Sequence, residues 1–377
     1  MKMGVLLDAT SLPSRPAGVG QYVLAISGEL AARPNDVELH IAAKARDLPS
    51  LRERAPGALF HAVGVRSRPA RLLWEQISLP RLARRLSVRV VHGPHYTLPI
   101  RLSVPGVVTF HDPTFFTNPE LHERAKVTYF TRMARMGVSR AARVITVSEY
   151  ARGAAIEQGG ARPDRVNVVP LGVDHDRYAP NGDAAVDDRL RGRLRVERPF
   201  LLWVGTIEPR KDLPTLVSAF SSLVHEGAPQ SLVLAGQRGW GSSELERAIE
   251  DTGMGKRIRL LGYVSEAEKI ALYRGADALV YPSIAEGFGL PVLEAMACGC
   301  PVITTTGSAP EEIGGDAVEL VPPRDPGELR ATLERVLGDP DRRGWLRGAG
   351  LDRAKQYSWE RTAVQTLDVY RLAAGRA

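Results

Sequence analysis

The feature that most constrains this chain is a rhythm. A short β-branched run, a Gly or Pro turn and an amphipathic helical stretch follow one another from end to end. Strands alternating with helices in this way pair in parallel, because each helix carries the chain back over one face of the sheet. In the first half the strand candidates are Met3 to Ala9, Val37 to Ala43, Val88 to His92, Gly106 to Phe110, Arg143 to Val147 and Val166 to Pro170. A second set starts at Phe200 to Gly205 and continues through Ser231 to Ala235, Ile258 to Leu261, Ala278 to Tyr281, Pro301 to Thr304 and Val318 to Val321. With 377 residues the chain exceeds one ordinary core and suits two α/β domains. The pattern predicts two doubly wound, Rossmann-like domains over residues 1–174 and 199–357. Between them HDRYAPNGDAAVDDRL, rich in Pro, Gly and Asp and without sustained apolar periodicity, predicts a linker over 175–198. The last helical segment, 358–377, is expected to cross back onto the first domain.

Charge and apolar content narrow the function classes. Hydrophobic residues make up 44% and charged residues 25%, which excludes a disordered chain. No apolar run approaches the roughly 20 residues of a membrane-spanning helix, and MKMGVLLDAT enters a strand pattern rather than a leader, so a cytoplasmic protein is expected. Cys298 and Cys300 share one CGC turn, too close for a useful disulfide and without partners for a zinc cluster; buried, reduced thiols are expected. The formal net charge of +7 points to an anionic partner: a membrane surface, a phosphorylated substrate or nucleic acid. No nucleic-acid-binding module or aromatic platform accompanies the charge, so nucleic acid is not expected. Between Arg66 and Arg89 the only acid is Glu75, and from Arg124 to Arg143 there is none, which places an acceptor side in the first half. RLLWEQISLPRLARRL sets Leu72, Leu73, Ile77, Leu79 and Leu82 among arginines, as peripheral contact with anionic lipid would need. A helix packed on the first domain with a solvated basic face would look the same.

In open α/β sheets ligands bind beyond the carboxyl ends of strands, where helix N-termini offer unpaired N–H groups. Four strand-to-helix turns stand out. In ATSLPSRPAGVGQYVLAISGEL, Gly18 and Gly20 precede a helical apolar pattern; the position a dinucleotide fingerprint needs as its third glycine is Val23, so an oxidoreductase fits poorly. A tight turn before a helix would use the same glycines. In GVVTFHDPTFF, His111 and Asp112 end a buried strand, where a histidine orients a hydroxyl or moves a proton, or simply serves the structure. His92 and His95 lack a carboxylate or thiol set for a metal and are expected to line a cleft. In FLLWVGTIEPRKDLPTLVSAF the strand ends in Gly205 and Thr206, and Arg210 and Lys211 precede a helix starting at Asp212. A guanidinium fork beside a compact ammonium suits a diphosphate, although an isolated pair would read as a solvated basic turn. In YPSIAEGFGLPVLEAMACGCPVITT, Glu286 opens a glycine-bracketed turn, Gly287, Phe288 and Gly289 offer amides, and Glu294 follows one turn into a helix that begins near Leu290. Carboxylates accept paired hydrogen bonds from sugar diols while amides and cations hold phosphates.

Read together, AGVGQY, LLWEQISLP, VVHGPHYTLP, TFHD, VITVSEY, VVPLGVD, LLWVGTIEPRKD, LVLAGQRGW, IRLLGYVSEAE and EGFGLPVLEAMACGCPV make nearly the whole chain similar to the GT4 family of retaining glycosyltransferases, and within it to bacterial mannosyltransferase-like members. The resemblance implies the GT-B fold, two Rossmann-like domains facing each other across a cleft. It implies that Arg210 and Lys211 hold the donor diphosphate, Glu294 the ribose hydroxyls and Glu286 the hydroxyls of the transferred sugar. Gly287 to Leu290 would contact sugar and phosphate through the backbone, Gly262, Tyr263 and Val264 would lie by the base, and Gly20, after Gly18, would approach the phosphate. His111 matches the family's strand-end histidine near the reacting sugar, with Asp112, Gly205 and Thr206 counted in the donor-binding set. No cofactor and no divalent metal are expected, and no Asp-x-Asp motif of metal-dependent transferases is present.

The implied reaction moves a sugar, mannose from GDP-mannose in the nearest likeness, onto a glycan or lipid-linked acceptor. Other donors, UDP-glucose or UDP-GlcNAc, and a nucleotide-sugar epimerase of the same architecture, are the alternatives; a silent binding protein is a third. The E-x7-E turn and the Arg-Lys loop favour a transferase.

Overall fold

The computed structural model describes residues 2–13 and 18–375. The chain forms two compact units, Met1–Gly172 with Ser358–Ala377, and Val173–Tyr357. In the first unit seven strands run parallel: β1 (Met3–Asp8), β2 (Val37–Lys44), β3 (Leu59–Val63), β4 (Val90–Gly93), β5 (Gly106–Phe110), β6 (Arg143–Thr146) and β7 (Val166–Val168), in the order β3-β2-β1-β4-β5-β6-β7. The second holds six: β8 (Phe200–Val204), β9 (Ser231–Ala235), β10 (Ile258–Gly262), β11 (Ala278–Tyr281), β12 (Val302–Thr305) and β13 (Glu319–Val321), ordered β10-β9-β8-β11-β12-β13. Parallel strands are covered on both faces and so carry unbroken apolar runs. FLLWV of β8 and GVVTF of β5 are buried at every position.

Strand order reverses once in each sheet, between β1 and β4 and between β8 and β11. At such a point the two crossover helices leave on opposite faces, and the loops at the strands' carboxyl ends part to leave a crevice. The Arg-Lys loop follows β8 and the glycine-bracketed Glu286 turn follows β11, so the fold puts them on either side of this crevice in the second unit.

Three sequence expectations need correction. Strand β3, sequence LFHAV, was not foreseen: it pairs only with β2 among the described strands, Leu59 is 49% exposed, and an edge strand this wet lacks an apolar run. Residues 175–198, expected as a linker, belong to the second unit and contain the helix Ala184–Arg193. That helix docks by polar bonds. Arg191 Nη1 donates to the Ala271 carbonyl at 2.9 Å, and Arg274 reaches the Asp187 carboxylate at 3.3 Å and the Ala179 carbonyl at 2.7 Å. Asp187 and Arg191 are its buried residues, which is why apolar periodicity does not reveal it. Third, His92 is core rather than cleft lining. It is fully buried, with Nδ1 2.7 Å from the Tyr370 hydroxyl and Nε2 2.8 Å from Thr109 Oγ1.

Tyr370 belongs to the helix Trp359–Ala374, whose first turn is capped by Ser358 Oγ accepting from Arg361 N at 3.2 Å. Thr362 Oγ1 of this helix donates to the Pro170 carbonyl at 2.8 Å. Gly172 lies so close to the Ser358–Trp359 peptide that any Cβ there would overlap it. Cys298 and Cys300 are buried free thiols, and burial pushes Cys300 up to about 12, so it stays neutral.

Replacing Arg274 by Ala removes the bonds that hold 179–187 and is expected to destabilise the second unit by about 1–3 kcal/mol, with faster proteolytic cleavage within 175–198. Unchanged cleavage there, followed by mass spectrometry, would show that the segment is held by other contacts.

Candidate functional site

The loops after β8 and β11 bring three sequence-selected residues into one buried cluster. Lys211 and Glu286 are 5% and 6% exposed and form an ion pair. Arg210 Nη1 lies 2.7 Å from Glu286 Oε2, and its Nε 3.1 Å from Glu208 Oε2. A fourth member was missed by sequence reasoning: Tyr281, the last residue of β11, accepts from Lys211 Nζ at 2.7 Å and donates to Glu286 Oε1 at 3.1 Å. The backbones interlock as well, Ile284 N donating to the Arg210 carbonyl at 2.8 Å.

Burial raises the pKa of a carboxyl and lowers that of an ammonium. For Glu286 burial acts upward, but Arg210 and Lys211 overcome it and hold the carboxyl at about 2. For Lys211 burial, then Arg210, press the ammonium below its usual value, and Glu286 restores only part. Arg210 and Lys211 share the buried Glu286 carboxylate and Arg210 also pairs with Glu208, so the cluster is balanced as an ion set and a further anion would have to compete with these carboxylates. The helix Leu290–Ala297 starts beside it, with Gly289 at its N-cap in the left-handed region (φ 95°) and Phe288 5% exposed. Gly287 is buried too and Leu290 half-buried, so the turn presents backbone rather than bulk.

Glu294 sits in the same helix but outside that ion set. Its Oε1 accepts from Lys269 Nζ at 2.9 Å and its Oε2 from the Tyr273 hydroxyl at 3.0 Å. Lys269 and Tyr273 stand four apart on the helix Glu266–Gly275, a spacing that puts both on one face and could have been read from the sequence. Gly262, in the left-handed region (φ 70°), Tyr263, 59% exposed, and Val264 lead into that helix from β10. Gly205 N donates to the Ala235 carbonyl at 3.0 Å, and Thr206 is exposed at the end of β8.

His111, Asp112, Gly18 and Gly20 lie in the first unit. His111 is 6% exposed, and its Nε2 donates to the Pro94 carbonyl at 2.8 Å, which leaves Nδ1 as the acceptor. Burial holds its pKa down at about 4; the Pro94 bond and Asp112 offset this only in part. The imidazole is therefore neutral at pH 7. Tyr22, from the helix Val19–Ala31 that Gly18 caps, meets it edge-on at 4.7 Å between centroids. Asp112 Oδ1 accepts from Thr114 N at 2.9 Å, and Gly20 is buried in the first turn of that helix.

Two Rossmann-type sheets, each with one reversal of strand order, are the architecture of the GT-B fold. A solved sucrose-phosphate synthase from Thermosynechococcus elongatus shares the architecture over 100% of both chains, with a TM-score of 0.81 and 21% identity. The family described as Glycosyltransferase Family 4 matches residues 16–177, and that described as Glycosyl transferases group 1 matches 187–350. O-antigen chain mannosyltransferase B of Escherichia coli is 36% identical over 75% of this chain and 74% of its own length. A D-inositol 3-phosphate glycosyltransferase of Frankia alni is 30% identical over 96% of this chain and 95% of its own. The chain belongs to this family and is a glycosyltransferase of the GT4, group 1 type.

Because unfolded histidine protonates near pH 6.5 and folded His111 only at about 4, folding loses stability as pH falls through that interval. His92 and His95, each pushed to about 3 first by burial, act in the same direction. Imidazole signals of His111 followed by NMR should not titrate above pH 5, and unfolding free energy should decline from pH 7 to pH 5. A His111 midpoint near 6.5 would contradict the buried neutral state.

Proposed function

We propose that this enzyme transfers mannose from GDP-mannose, with retention at the anomeric carbon and without a divalent metal, to a glycan or lipid-linked acceptor. It would act in the cytoplasm or at the inner face of the membrane. The observation that carries the donor site is the buried Arg210, Lys211, Glu286 cluster at the β8/β11 strand reversal, beside the N-terminus of Leu290–Ala297. The mannosyl donor is supported by the O-antigen chain mannosyltransferase likeness.

As the nucleoside diphosphate departs, negative charge grows on its oxygens and positive charge on the sugar ring. The Arg210 fork, the Lys211 ammonium and the helix N–H groups meet the phosphates, and being already fixed they need little reorganisation. Glu286, freed in part from those cations, then accepts from sugar hydroxyls. Glu294 plays the same part toward the ribose diol once its bonds to Lys269 and Tyr273 loosen. Glu286 is not a nucleophile in this scheme; the acceptor attacks from the leaving-group face, and the departing phosphate takes its proton. In the first unit, His111 has Nδ1 to accept a hydrogen bond from a hydroxyl of a bound sugar, since its Nε2–H is committed to Pro94. Gly262 to Val264 border the base, while Gly205 and Thr206 complete the donor surroundings within the second unit.

Lys211→Ala is expected to lower kcat/KM by about 10- to 150-fold, the loss of one charge-assisted hydrogen bond of roughly 1.5–3 kcal/mol. Glu294→Ala should raise the KM for the donor more than it lowers kcat. Unaltered kinetics in both variants would remove the donor site from this cluster. Thermal shift against GDP-mannose, UDP-glucose and UDP-N-acetylglucosamine should select GDP-mannose, and selection of a UDP-sugar would replace the donor. EDTA should leave turnover unchanged; loss restored by one metal would overturn metal independence.

A further inference from the structure

A cavity of about 880 Å³ lies wholly within the first unit. Its lining includes Lys44, Arg46, Arg66, Arg68, Arg71 and Lys126, and no Asp or Glu among the described residues. Concentrated charge of one sign in a concave wall focuses the field inward and selects a ligand of the opposite sign. Three of the cations already have carboxylate partners: Arg71 with Glu75, Arg46 with Asp47 and Lys126 with Glu123. Lys44, Arg66 and Arg68 have no carboxylate within ion-pair distance among the described residues; Arg68 instead lies over the Tyr129 ring at 4.4 Å.

The wall is organised rather than merely basic. Arg71 is 9% exposed and its Nη1 is held 2.9 Å from Glu75 Oε2, while fully buried Glu75 also accepts from Thr97 Oγ1 at 2.8 Å and Gln76 Nε2 at 3.1 Å. A guanidinium fixed from behind presents its remaining donors to the cavity without further ordering. The helix Arg68–Arg85 begins at the same wall, with Ser67 and Arg68 both lining it, so its positive end adds to the field. Burial first, then Arg46 and Arg71, depress the pKa of Lys44, and Asp47 and Asp8 offset this only in part. An adjoining apolar groove of about 350 Å³ shares Arg68, Lys126 and Tyr129 and continues along Pro69, Leu72 and Ala125.

We propose that this cavity binds the phosphate or diphosphate group of the acceptor, with Lys44, Arg66, Arg68 and Arg71 as its ligands. Calling the bound anion an acceptor rests on the transferase reading; the binding itself does not. The phosphate belongs either to a soluble sugar phosphate or to the headgroup of a lipid diphosphate, whose chain the apolar groove would receive.

The test is calorimetric titration of the full chain, held in saturating GDP so that the proposed donor site is occupied, with inorganic pyrophosphate and with mannose 1-phosphate, beside co-sedimentation with phosphatidylcholine vesicles carrying a polyprenyl diphosphate. The proteins compared are wild type, the triple variant Lys44→Gln/Arg66→Gln/Arg68→Gln, the charge-retaining Arg66→Lys/Arg68→Lys, and Lys211→Ala. At least tenfold weaker binding in the triple variant is expected, with the charge-retaining and Lys211→Ala proteins staying within about threefold of wild type. Pyrophosphate reports the anion site common to both sources; binding of mannose 1-phosphate without binding of the vesicles assigns a soluble acceptor, and binding of the vesicles a lipid-linked one. Equal affinity of wild type and triple variant, no binding of any probe, or a loss that follows Lys211→Ala would overturn the site. The GDP-mannose thermal shift of the triple variant, read separately, reports on the donor site and keeps the two failures distinguishable.

Discussion

The reversal of strand order between β8 and β11 is the constraint on which the candidate donor site depends. Adjacent parallel strands whose crossovers leave on opposite faces cannot close their carboxyl-end loops over one another. The second sheet uses that gap to bring a cation pair from one loop against a carboxylate from the other. The interlocking bond from Ile284 N to the Arg210 carbonyl fixes both loops before any side chain is considered. Packing of β8 and β11 thus sets the distance between the charges, and the helix Leu290–Ala297 is aimed at the result.

Charges taken out of water this far are tolerated only as a set. Removing one member of a buried ion pair typically costs about 3–5 kcal/mol, since the remaining charge is left without solvent or partner. Glu286 is held ionised by its two cations, while Lys211 is pressed the other way by burial and by Arg210. These opposed shifts describe an arrangement whose folded state keeps Glu286 charged, with Glu208 as the second carboxylate that balances the two cations. Any further anion at these loops has to compete with those two carboxylates for Arg210 and Lys211.

All six strands of the second sheet could be read from the sequence: the central ones are buried on both faces and write themselves as apolar runs between turns, and the half-exposed edge strand β10 still carries Ile258, Leu260 and Leu261. Strand β3 could not, since an edge strand wet along much of its length has no such signature. The helix Ala184–Arg193 was hidden for a related reason: guanidinium bonds to carbonyls dock it, and those leave no 3.6-residue apolar pattern. At the site, Arg210, Lys211 and Glu286 stood out by residue type and turn position. Tyr281 did not, because a tyrosine ending a buried strand reads as core until the loops around its hydroxyl are placed. His92 erred in the opposite direction, its polar ring satisfied inside the core by Tyr370 from a helix 278 residues further along the chain.

The two cationic groups of this chain differ in how they are neutralised, and the difference bears on what each is for. In the second unit Arg210 and Lys211 face Glu286 and Glu208, so their charge is balanced locally and released only to a ligand that outcompetes carboxylates. In the first unit Arg71 is paired with Glu75, whereas Lys44, Arg66 and Arg68 have no carboxylate within ion-pair distance among the described residues. Balanced cations suit a site that must bind, discriminate and let go of a leaving group, since the carboxylate can return as the product departs. Unbalanced cations suit a group that stays bonded to its carrier and need only be held. Mutual repulsion at such a wall costs stability that folding must offset elsewhere, and a bound anion removes that cost.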